Sequence, residues 1–205
     1  MDWSCVIVSA TVTSMEGKWK PRTQRASDIT RLAGNPAHAP TVISAIGRTE
    51  LDDLSVSIES FLSHTSALTT TATSVESLIS TAEERTRGGF IQWLKVLFGA
   101  PSRERCLREA VTLLDSVRLR MDSLALLAAD VRKSIEDTQT WIDALQDAIP
   151  TLPDGEAQEM ARTRMMDLKA MVANGHNTFS PYADLTEKSE ALQSWSLRAQ
   201  RSLSA

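Results

Sequence analysis

The sequence predicts an all-α protein: an elongated helical bundle built on a long antiparallel coiled-coil hairpin, with three to four main helices and a short apolar tip helix. Two observations carry that expectation. Apolar residues recur at heptad spacing through most of residues 50–149, broken once by a Gly- and Pro-flanked stretch. Aromatics make up only 5% of the chain, and it holds just 8 Gly and 7 Pro, a composition that suits helices better than sheets. With 42% hydrophobic residues in 205, the chain can bury a sizeable core.

Residues 1–48 read as a flexible or loosely docked basic N-terminal arm, with Lys18, Lys20, Arg22, Arg25 and Arg31 among Ser, Thr, Pro and Ala. Two short β-prone runs, Val6–Val12 and Thr41–Ile46, bracket a turn-rich middle containing Gly34, Asn35 and Pro36. Residues 49–204 read as the bundle itself. Thr49 followed by Asp52 has the form of a capping box opening a helix over about 50–87. Leu51, Ile58, Thr65, Ala72 and Ile79 take its a positions, and Leu54, Phe61, Leu68, Val75 and Ala82 its d positions. Only Thr65 is polar. Gly88 and Gly89 supply the stop.

The second long helix is expected over 103–149, after Ser102 as N-cap, and is ended by Pro150 and Pro153. Its a positions run from Leu107 to Ile149 and its d positions from Ala110 to Leu145, with Thr138 the one polar member. At 1.5 Å per residue the two helices would reach about 55 and 70 Å, so they can lie side by side. Further apolar residues, Leu113, Leu127, Trp141 and Ala148 at g and Leu119 and Leu126 at f, widen the second stripe. A stripe that broad calls for more helices against it, or a second subunit. Two helices over 154–173 and 181–203 can supply the cover. The first is amphipathic through Ala157, Met160, Ala161, Met165, Leu168 and Val172, with Gly175 just past its end; the second starts at Ser180 and Pro181.

Chemistry is hard to find. His38, His64 and His176 stand at no ligand or relay spacing, and no Gly-rich phosphate loop, zinc motif, HExxH or GxSxG occurs. No catalytic residue, metal ligand or cofactor is assigned. Met160, Met165, Met166 and Met171 read as pliable core or a partner groove. A net charge of −4 offers no general basic field for nucleic acid. Cys5 and Cys106 form no CxxC pair or disulfide framework, which points to a reducing, intracellular compartment. No secretory signal is read at the N-terminus.

The exception is the connector between the long helices. Phe90, Ile91, Trp93, Leu94, Leu97 and Phe98, with Val96, fill seven of the nine positions 90–98, where hairpin connections are ordinarily polar. One expectation is a short helix that caps the bundle. Another is a contact held out toward a protein partner, a second copy, or an anionic membrane surface. Arg85, Arg87, Lys95, Arg103, Arg105 and Arg108 form a candidate basic collar around it, and residues 85–120 carry net +5. The functional expectation is a non-enzymatic protein that mediates protein–protein interaction or self-association, cytoplasmic in location. The alternative is a peripheral membrane protein acting through this tip.

Overall fold

The computed structural model describes residues 22–35, 37–87, 101–152 and 155–203. Among them every regular element is helical. The order is α1 (Arg22–Ala33), α2 (Ala39–Ala45), α3 (Arg48–Arg87), α4 (Arg103–Ala148), a 3-10 turn (Ile149–Thr151), α5 (Gly155–Asn177) and α6 (Phe179–Leu203). The protein is an all-α helical bundle whose long helices are α3, α4, α5 and α6. The described residues divide into two compact units, one falling within 1–59 and 129–177, the other within 60–128 and 178–205.

The heptad reading translates directly into burial. Every a and d position of α3 and α4 is buried or half-buried. The two polar exceptions are buried as well, because each satisfies itself locally. Thr65 donates its hydroxyl to the Phe61 carbonyl at 2.8 Å, and Thr138 donates to the Ser134 carbonyl at 2.8 Å. Neither needs a partner across the core.

The first unit combines α1, α2, residues 48–59 of α3, residues 129–148 of α4, the 3-10 turn and α5. Its largest fully buried side chain is Trp141. Residues 22–46 differ from the expected loose arm. Ile29, Ala33, Val42, Ile43 and Ile46 are buried, and α2 packs on both α1 and α5. The β-prone run Thr41–Ile46 is helical over most of its length, because Pro40 in the first turn pre-sets a helical φ and burial of Val42 and Ile43 outweighs their propensity. Between α1 and α2 the Asn35 carbonyl accepts from the His38 and Ala39 N–H groups, at 2.9 and 3.0 Å.

Gly47 makes the corner into α3. Its φ is +61°, and its carbonyl accepts the Leu51 N–H at 3.0 Å, so the helix starts at Arg48. Gly47 is therefore the N-cap, and Thr49, which the capping-box reading places at that position, lies in the first turn two residues past it. A Cβ on Gly47 would stand 3.3 Å from Trp141 Cγ and 3.4 Å from Leu168 Cδ2, so the absent side chain also lets the corner rest on the core. Arg164 of α5 closes the other side of this corner by donating its Nε–H to the Ile46 carbonyl at 2.9 Å. Burial lowers the Arg164 pKa from its ordinary value, while Asp167 pulls it back up.

Gly175 corrects a boundary. The sequence places it beyond the helix, yet α5 continues to Asn177 and Gly175 is buried within it. A Cβ there would meet Ile135 Cδ1 at 2.9 Å and Ile58 Cδ1 at 3.6 Å. The glycine serves a close helix crossing rather than a stop.

The second unit holds residues 60–87 of α3, residues 103–128 of α4, and α6. Phe61 packs against Phe179 at 5.6 Å and Tyr182 at 5.5 Å between ring centres. Ala82, late in α3, is buried with Cys106 and Leu107, early in α4, and Trp195 of α6 packs on them. Within this unit the two long helices thus meet as an antiparallel pair. Lys188 of α6 reaches Glu76 of α3 at 2.7 Å. The start of α6 is at Phe179, so Ser180 and Pro181 occupy its first turn instead of the N-cap and N1 positions. Proline is tolerated there because first-turn N–H groups have no intrahelical acceptor.

Candidate functional site

The start of α4 is set by Ser102. Its carbonyl accepts the Cys106 N–H at 3.0 Å, and its hydroxyl accepts the Arg105 N–H at 3.2 Å, which is the N-cap geometry the sequence predicts. From that start Arg103, Arg105 and Arg108 all project into solvent. Glu104 and Glu109 are interleaved with them, and Arg108 pairs with Glu104 at 3.6 Å. A shallow groove of about 430 Å³ on this face is lined by Ser102, Glu104, Arg105, Arg108, Glu109 and Thr112. It is polar and open. The mixed charges make it a surface on which no single sign dominates.

The remaining collar residues divide in two. Arg85 and Arg87 belong to the last turn of α3, and their side chains lie outside the described residues, as does Lys95. Phe90, Ile91, Trp93, Leu94, Leu97 and Phe98 also lie outside the described residues, so the expected tip helix over 90–98 has no structural account.

A different apolar feature is in view on the same helix. Leu119 is 71% exposed and Leu126 is 70% exposed. They stand one heptad apart, at the f positions, so they share a face of α4. The expectation that further helices would cover the broad stripe holds only for its g side. Trp141 and Ala148 are buried and Leu113 and Leu127 half-buried, whereas the f leucines are left in water. In the second unit α4 buries its a, d and g side, and no described residue gives its f side apolar cover. The sequence marks both leucines as surplus apolar residues but predicts cover for them, which the described helices supply only at g.

Elsewhere the polar groups have structural roles. The His64 ring Nδ1 is 2.8 Å from the Ser60 carbonyl on its own helix, and His176 is exposed. Met160, Met165 and Met171 are half-buried along α5, while Met166 is exposed. Among the described residues no group of three or more His, Cys, Asp or Glu side chains could hold a metal ion, and no helix is long and apolar enough to cross a membrane. No protein-family model, curated protein or solved structure matches this chain.

Proposed function

We propose that this protein works without catalysis, by binding another protein chain through the outer face of α4. The observation that carries the reading is the exposure of Leu119 and Leu126, about 70% each, on a helix whose a and d positions are all turned inward. Two leucines one turn-pair apart are anchors of the kind that a groove or a facing helix accepts. Arg118, Arg120, Asp115 and Asp122 are exposed beside them and give such a contact a charged rim. A second copy of the chain is the simplest occupant to test. Sedimentation equilibrium on the parent protein and on a Leu119→Gln, Leu126→Gln double variant decides it. Association in the parent that is lost in the variant supports the reading. A monomeric parent that also fails to bind an apolar dye at this face overturns it.

A second reading, association with an anionic membrane, has support from Arg103, Arg105 and Arg108, exposed immediately after the apolar stretch 90–98 in the chain. Co-sedimentation with vesicles rich in anionic lipid tests it, repeated with Trp93→Glu. No binding by the parent removes it.

A further inference from the structure

The two long helices of the second unit are built from very different residues. Between Thr65 and Thr81, ten of 17 residues of α3 are Ser or Thr, whereas residues 103–128 of α4 contain three and are rich in Leu and Arg. Thr65, Thr69, Thr70, Thr71, Thr73 and Ser74 each donate a side-chain hydrogen bond to the carbonyl four residues back, at 2.8 to 3.0 Å. Such hydroxyls compete for the carbonyls that hold a helix together, and threonine adds the χ1 restriction of a β-branched side chain. Packing does little to compensate. The buried side chains of this stretch are Thr65, Leu68, Ala72 and Val75, with Leu78 and Ile79 half-buried at its end, so its one large buried side chain is Leu68. Its ion pair to α6, Glu76 with Lys188, is partly exposed and weak for that reason.

We infer that residues 65–81 of α3 are a separately opening segment, which loosens while residues 103–128 of α4 stay helical. Opening bares Leu68 and Val75 and offers an apolar strip that the closed unit conceals. This is a conformational device independent of the α4 leucine face.

Native-state amide exchange on the full chain, read by mass spectrometry under conditions where closing outpaces exchange, tests it. Residues 65–81 are expected to exchange at least tenfold faster than residues 103–128. The variant Thr69→Ala, Thr70→Ala, Ser74→Ala changes three exposed positions toward the best helix former. It is expected to slow exchange in 65–81 about tenfold and to leave 103–128 unchanged. Equal protection of the two helices in the parent overturns the inference. So does a variant that slows both helices alike, because the segment would then open only with the whole unit.

Discussion

The Arg25 guanidinium lies over the Trp141 indole, 4.7 Å from the ring centre, and so ties α1 to the C-terminal half of α4. Arg25 is only 9% exposed, and its Nη1 donates to the Thr140 hydroxyl on the same helix. A cation held over an indole away from water contributes roughly 1–2 kcal/mol. Arg25→Ala is expected to destabilise the protein by about 2 kcal/mol once the lost hydrogen bond is included. Arg25→Lys should recover part of that. Urea denaturation followed by circular dichroism measures both.

Gly47→Ala places a side chain where φ is +61° and where Trp141 Cγ would be 3.3 Å away. The backbone strain alone costs roughly 1–2 kcal/mol for an L-residue. The expected result is a lowered midpoint for unfolding with an unchanged helical spectrum at low temperature. A neutral Gly47→Ala would mean that the corner tolerates rearrangement.

Gly175 separates two effects that usually travel together. Alanine gains roughly 1 kcal/mol of helix propensity but must push the tip of Ile135 aside. Gly175→Ala is therefore expected to lie within about 1 kcal/mol of the parent. Gly175→Leu cannot be relieved by one rotamer and should cost about 3 kcal/mol, in line with overpacked cores. The pair of midpoints checks the close crossing.

Thr138 offers the opposite case. Its hydroxyl is fully buried and donates to the Ser134 carbonyl of its own helix, an acceptor that already belongs to the backbone ladder. Thr138→Val removes the hydroxyl without stranding an acceptor. Stability is expected to be unchanged or higher by up to about 1 kcal/mol. Thr65→Val should behave the same way, for the same reason.

The heptad frame of α3 and α4 was legible in the residues because a continuous pattern of apolar side chains admits one inward face. The Ser102 cap was legible too, since its geometry is local. What the pattern could not show was the role of features decided by distant neighbours. The β-branched run Thr41–Ile46 obscured α2, and only the burial of Val42 and Ile43 resolves it as a helix. Gly175 read as a helix stop because glycine has that meaning locally; its contact is with Ile135, forty positions earlier in the chain. Leu119 and Leu126 were visible as surplus apolar residues. Their exposure depends on how many helices surround α4, and spacing along one helix does not count its neighbours. The candidate tip at 90–98 stands as a sequence expectation.

The Ser102 cap has one more consequence. Because its side chain pins the first turn, it fixes the zero from which the direction of every later side chain on α4 is counted. Each residue advances that direction by about 100°. Deleting a single residue between Ser102 and Cys106 would rotate the whole downstream stripe by that angle. Leu119 and Leu126 would swing off their outward bearing, and polar neighbours would turn toward the core. The helix would keep its composition and length and lose its phase.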